Sequence, residues 1–302
     1  MKKHLLFLSL ALFLFSSCSK DDTNAAKTEK EKIPVTFSIS DLNVSVGDFK
    51  SASTTLADSV KKHADYLSCK IYDKDGTPFT VINQTKTALN FGTITVDLPV
   101  GTYKAAFAAS TGGFSWNDAN NYIGQDYIST GTRTYDLFFK RIDEIKVNEP
   151  TTQEVTLDRI VSGIDLVVED SIPSVVSKIS IITKNEGGVY MVTGNYSMSS
   201  APSRVATFTI ASSDRRKFNK TFTTFALPND DGVSTSVEVT AYDAKNNALL
   251  SKQVNNVPFI KNKKVTIQGK LFTGLSTGNA TPSFSIKVNQ GWDTSTTTIK
   301  IP

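Results

Sequence analysis

Ile94-Thr95-Val96-Asp97-Leu98-Pro99-Val100-Gly101-Thr102-Tyr103-Lys104-Ala105-Ala106-Phe107-Ala108-Ala109 is the stretch on which the fold turns. Ile94, Val96 and Leu98 recur every second residue, and beyond Pro99-Val100-Gly101 the period returns at Tyr103, Ala105, Phe107 and Ala109. A period of two places apolar side chains on one face of a β-strand. Between the runs, proline fixes φ and glycine permits positive φ, which is turn chemistry. Two alternating runs about a turn predict an antiparallel, hairpin-rich sheet.

The same pattern extends upstream. Val35, Phe37 and Ile39 alternate with Thr36, Ser38 and Ser40, while Leu67, Cys69 and Ile71 precede the turn-forming Asp73-Lys74-Asp75-Gly76. One stretch breaks the rule: Leu56, Val60, Ala64 and Leu67 have helical spacing, with Asp58, Lys61, Lys62 and Asp65 on the other side, predicting a helical turn or loop over 54–64. Downstream, the apolar pattern lapses at Asn148-Glu149-Pro150-Thr151-Thr152, where we place a domain boundary. Alternation resumes at Ile164–Val168, Ile179–Ile182, Val205–Ile210, Thr221–Leu227, Val237–Ala241, Val265–Leu271 and Phe284–Val288. Short strands at this spacing predict an all-β chain of two tandem antiparallel β-sandwiches, transthyretin-like or immunoglobulin-like, over 33–150 and 151–302. There is no βαβ pattern and no glycine-rich phosphate loop.

The first residues read as an address. Met1-Lys2-Lys3-His4 is basic, and the apolar run Leu5–Phe15 is 11 residues long, against the about 20 needed to cross a bilayer. Ser16-Ser17-Cys18 follows and resembles a bacterial lipobox, so 1–17 is expected to be a lipoprotein signal peptide and Cys18 the acylated first mature residue. Ser19-Lys20-Asp21-Asp22 looks like a surface-export signal, and the polar segment to Lys32 reads as a flexible tether. The expected location is the outer membrane, lipid-anchored and facing the cell exterior.

Composition narrows the chemistry. Loss of Lys2 and Lys3 takes the 33 basic residues to 31 against 29 acidic ones, and no basic stripe points to nucleic acid. The chain of 302 residues holds two histidines and two cysteines, too few for a zinc cluster or a disulfide framework. After export His63 stands alone on a polar stretch, and Cys69 shares a strand face with Leu67 and Ile71 as a small core hydrophobe. Asp73-Asp75-Gly76 and Asn229-Asp230-Asp231-Gly232 lack the remaining ligands of a calcium loop and read as hairpin turns. No catalytic residue, metal or cofactor is assigned, although a glycosidase carboxylate pair is set by space and leaves no spacing signature. The aromatic loop 110–132 admits two readings: a glycan platform of Phe114, Trp116, Tyr122 and Tyr127, or a loop that packs on its own side chains.

The lipobox, Leu67-Ser68-Cys69-Lys70-Ile71-Tyr72-Asp73-Lys74-Asp75-Gly76 and Leu98-Pro99-Val100-Gly101-Thr102-Tyr103 together resemble the N-terminal sandwich of Bacteroidota fimbrillin-like proteins. Val155-Thr156-Leu157-Asp158-Arg159-Ile160-Val161 is similar to the start of that family's second domain, and the stretch Asn256–Phe272 resembles its most characteristic segment. The resemblance implies a non-catalytic surface lipoprotein that adheres or assembles with other fimbrial subunits by strand exchange into a fimbria or pilus. Stalk subunits of the family lose their first strand to an arginine-specific protease. The first arginine here is Arg133, so such a cut cannot free Val35–Ile39 without destroying the first domain. Retention of lipid and first strand is the behaviour of the anchor class. The remaining donor candidate is the C-terminal Thr296-Thr297-Thr298-Ile299-Lys300-Ile301, whose alternative is an ordinary closing strand. The second functional reading is a glycan-binding surface lipoprotein.

Overall fold

The alternation at Val35, Phe37 and Ile39 becomes β1 (Lys32–Asn43), and a bulge between Ile39 and Asp41 shifts the phase so that Leu42 turns inward next. The structure, a computed structural model, describes residues 31–43, 56–113, 115–117, 127–129, 135–184, 188–189, 196–197, 204–228, 234–275, 283–289 and 296–300. The lipidation site Cys18 and the export signal Ser19, Lys20, Asp21 and Asp22 lie outside these residues, as do Asn229–Gly232.

After β1 come α1 (Leu56–His63), β2 (Tyr66–Asp73), β3 (Pro78–Thr85), β4 (Thr93–Pro99), β5 (Gly101–Ser110), the short ribbon β6 (Ser115–Asn117) and β7 (Tyr127–Ser129), β8 (Leu137–Val147) and β9 (Thr151–Arg159). Seven of these strands run β3-β2-β5-β8-β9-β1-β4. The β8–β9 link holds only at Phe138–Arg159 and Phe139–Asp158. The strands therefore divide into two layers, β3-β2-β5-β8 and β9-β1-β4, which face one another. Phe37 of β1 meets Phe107 of β5 edge to face at 5.0 Å between ring centroids. Val60 of α1 and Ala64, the residue after it, are buried in the same core, as the helical spacing predicts.

Two expectations are corrected. Asp73–Gly76 does join a hairpin, β2 to β3. Pro99-Val100-Gly101 does not: β4 pairs with β1, whereas β5 pairs with β2 and β8, so this turn carries the chain from one layer to the other. Tyr103 fixes the corner by donating its hydroxyl hydrogen to the Pro99 carbonyl at 2.9 Å. The polar lapse at 148–152 is likewise a turn inside the first sandwich, because Thr151–Arg159 pairs in parallel with β1. The joint lies instead at Ile160-Val161, both buried.

The second sandwich comprises β10 (Ser162–Val168), β11 (Lys178–Thr183), the ribbon β12 (Gly188–Val189) and β13 (Tyr196–Ser197), β14 (Arg204–Thr209), β15 (Lys220–Ala226), β16 (Ser234–Tyr242), β17 (Ala248–Pro258), β18 (Lys264–Lys270), β19 (Ser283–Asn289) and β20 (Thr296–Lys300). Its sheets run β15-β10-β18-β19-β20 and β14-β11-β16-β17, over a core that includes Ile164, Leu166, Val239 and Ile267. Each sandwich adds one parallel pair, β1–β9 and β10–β18, to otherwise antiparallel ladders.

Candidate functional site

The first strand is the best-defined candidate. β1 lies inside its sheet, parallel to β9 on one side and antiparallel to β4 on the other, with Phe37 opposite Gln153 and Ile94. Ile33, Val35, Phe37, Ile39 and Leu42 are all buried, Val35 and Phe37 completely. At about 1.5–3 kcal/mol per buried side chain this strand carries roughly 7–15 kcal/mol of apolar burial. That is as large as the net stability of a typical domain, about 5–15 kcal/mol. The slot between β9 and β4 is thus filled by the chain's own strand, and filling it holds the first sandwich together.

The two sandwiches meet at a polar clamp set in an apolar joint. Tyr72, Ala106, Ala108, Leu137 and Phe139 pack with Ile160, Val161 and Leu227. Beside them Arg159, 7% exposed, donates from Nε to both Asp136 carboxylate oxygens at 2.9 Å and from an Nη to Asn262 Oδ1 at 3.0 Å. Its guanidinium also lies 4.9 Å from the Phe138 ring centroid. Asn262 belongs to the β17–β18 turn, takes φ +53°, and donates its backbone N–H to the Val161 carbonyl at 3.0 Å. One arginine therefore ties the end of β9 to a loop of the second sandwich. Sequence reading found the run around Arg159 only by resemblance, since nothing local links it to Asn262.

The C-terminal candidate is an edge. Thr296–Lys300 forms β20, antiparallel to β19, and ends its sheet; Ile301 lies outside the described residues. β20 runs toward the pole where β10 ends, because Lys300 pairs with Ser285 and Gly269 pairs with both Phe284 and Val168. That pole carries a cavity of about 440 Å³ lined by Asp170, Pro173, Val175, Phe218, Phe272 and Leu275. Phe218 is 65% exposed and Val175 51%. Asp170 shapes the cavity wall by accepting the N–H groups of Leu271 and Phe272 at 2.9 and 2.7 Å. No motif announced this cavity, because it is assembled from three separate loops.

The remaining candidates are placed as follows. Trp116 pairs with Ile128 and Tyr127 with Asn117 on the β6–β7 ribbon, so the two aromatics do not occupy paired positions; Phe114 and Tyr122 lie outside the described residues. Asp73 spends its carboxylate on the turn, accepting the N–H groups of Asp75 and Thr77 at 2.9 and 2.8 Å, and these bonds, Thr77 foremost, hold it below the usual carboxylate range. Asp243 does the same for Lys245 and Asn247, with the Asn247 side chain the leading cause of its lowered value. Cys69 is fully buried, and burial pushes its thiol far above the ordinary range. Among the described residues no three His, Cys, Asp or Glu side chains are placed to share a metal ion, and no helix is long and apolar enough to cross a membrane.

The described residues thus form two β-sandwiches joined by a buried clamp. The chain belongs to the family of fimbrillin-A associated anchor proteins Mfa1 and Mfa2, whose family model matches residues 32–298. A protein from Bacteroides thetaiotaomicron, provisionally described as polysaccharide-binding, shares the fold: it is 12% identical, with 89% of this chain and 98% of that one covered and a TM-score of 0.51. The fimbrial anchor protein Mfa2 from Porphyromonas gingivalis aligns over 86% of this chain and 98% of its own, at 12% identity and a TM-score of 0.49. A fimbrial assembly protein from Parabacteroides distasonis aligns over 89% and 99%, at 12% identity and 0.43. No curated protein matches the chain.

Proposed function

We propose that this chain is a non-catalytic fimbrial anchor subunit, exported as a lipoprotein acylated at Cys18 and held at the outer surface of the outer membrane. It keeps its first strand and meets a neighbouring fimbrial subunit through its C-terminal strand. The observation that carries this reading is the filled slot of β1: five core side chains are buried there, and no arginine precedes Arg133 at which an arginine-specific protease could release the strand. A subunit with its slot filled cannot receive a donor strand in that slot, so its part in strand pairing is to offer a strand. The edge position of β20 supports that role, as does the apolar cavity at the pole toward which β20 runs.

Truncation of residues 290–302 tests the reading. The truncated protein should stay folded and lose capture of fimbrial subunits from surface extracts; undiminished capture would contradict it.

A further inference from the structure

β1 runs parallel to β9 and so toward the joint, which leaves Lys32 at the end of the first sandwich remote from it. β10 runs away from the joint, and the loops that follow β10 and β18 and precede β15 build the cavity at the remote end of the second sandwich. The loop that supplies Phe218 is braced. Asp214 pairs with Lys220 at 2.7 Å and closes its base. The Ile172 carbonyl accepts the Arg216 N–H at 2.9 Å, and the Ile172 N–H donates to the Lys217 carbonyl at 3.3 Å. Arg216 and Asn219 take φ of +60° and +56°, a region that residues other than glycine rarely enter. Held in this way, Phe218 stands outward beside Val175 as an exposed apolar lip.

The surroundings of the lip are cationic. Arg216, Lys217 and Lys270 are exposed, and Arg215 keeps a buried Nε with no hydrogen-bond acceptor among the described residues. The acids of the same loops are already engaged: Asp170 with the N–H groups of Leu271 and Phe272, Asp214 with Lys220, and Glu169 with the Gln268 side-chain amide at 2.5 Å. We propose that this pole docks an acidic loop of a neighbouring fimbrial subunit, which seats one apolar side chain in the cavity while its carboxylates face Arg216, Lys217 and Lys270. Charge complementarity selects an acidic segment. Five of the eight lining residues are apolar, which suits an apolar anchor and would leave the hydroxyls of a sugar unpaired. At about 440 Å³ the cavity has room for such an anchor. The inference rests on the proposed function in taking a fimbrial subunit as the neighbour, and it adds a side-chain contact separate from the C-terminal strand.

The test titrates the mature full-length chain with a blocked synthetic pentapeptide, a leucine between two pairs of acidic residues, and follows amide chemical shifts. Shifts at Val175, Phe218 and Leu275 are expected, with an affinity that falls as salt is added. Replacing the leucine by glycine, or Phe218→Ala in the protein, should weaken binding about tenfold. Arg216→Glu combined with Lys217→Glu should abolish it and reduce capture of fimbrial subunits severalfold with residues 290–302 in place. All three side chains are exposed, so these variants keep the fold. No shift at the cavity, equal binding of a lysine-flanked peptide, or undiminished capture by the charge variant overturns the proposal. Undiminished capture by that variant together with loss of capture on truncation of 290–302 removes this contact and leaves the proposed function standing.

Discussion

Arg159 and Asp136 form a buried two-pronged ion pair at the joint of the sandwiches, with side chains 6% and 15% exposed and a closest N–O approach of 2.8 Å. The pair matters because Arg159 also reaches Asn262, so the strand end that leaves the first sandwich is fastened to the second. Removing one partner leaves the other charge buried, which typically costs about 3–5 kcal/mol. We expect Arg159→Ala to lower stability by that order and to split one calorimetric transition into two. A single transition at the wild-type temperature would show that the apolar joint alone couples the halves.

Deletion of Lys32–Asn43 should unfold the first sandwich and leave the second intact, because the burial lost rivals the stability of the domain. Cys69 provides the readout: buried beside β5 and β3, it should resist thiol reagents in the native chain and react at once after the deletion. A synthetic Lys32–Asn43 peptide should restore its protection. Native-like protection without the peptide would mean that the strand is dispensable.

Phe37→Ala is expected to cost about 3–5 kcal/mol, since it empties a fully buried site and removes the contact with Phe107. Denaturant unfolding would show a lower midpoint with little change in slope. Thr36→Ala, on the solvent side of the same strand, should change it little.

The hairpin tips respond to acid in a defined direction. Asp73 and Asp243 have depressed values in the fold, so the order they lend is complete above their unfolded value of about 3.9 and fades as pH falls through the lower folded value. Amide chemical shifts of Asp75, Thr77, Lys245 and Asn247 should move together below about pH 4, and Asp73→Asn should remove the pH dependence at the first tip alone. Shifts unchanged down to pH 2 would contradict the assignment.

Much of the fold was legible because period-two alternation is a local signal. Val35–Ile39, Leu67–Ile71 and most runs of the second sandwich became strands. β17 escaped because its buried residues, Leu250, Val254 and Val257, fall four and three apart, which mimics helical spacing. Register shifts against β16 and the exposure of the edge produce that pattern. The role of Pro99-Val100-Gly101 was hidden for another reason: a turn between paired strands and a turn between layers use the same residues, and only the partners of β4 and β5 distinguish them. Likewise Pro150 marks a turn, and whether that turn separates domains depends on where Thr151–Arg159 finds its neighbour. The Arg159–Asn262 contact spans more than a hundred residues and had no local trace.

The central claim, that the anchored chain keeps its own first strand, is tested most directly by the N-terminus of the protein recovered from the outer membrane. Intact-mass and peptide mapping should find a lipid-bearing Cys18 continuous with Lys32–Asn43, unchanged by prior exposure to an arginine-specific protease. A surface form that begins beyond Asn43 would contradict the account.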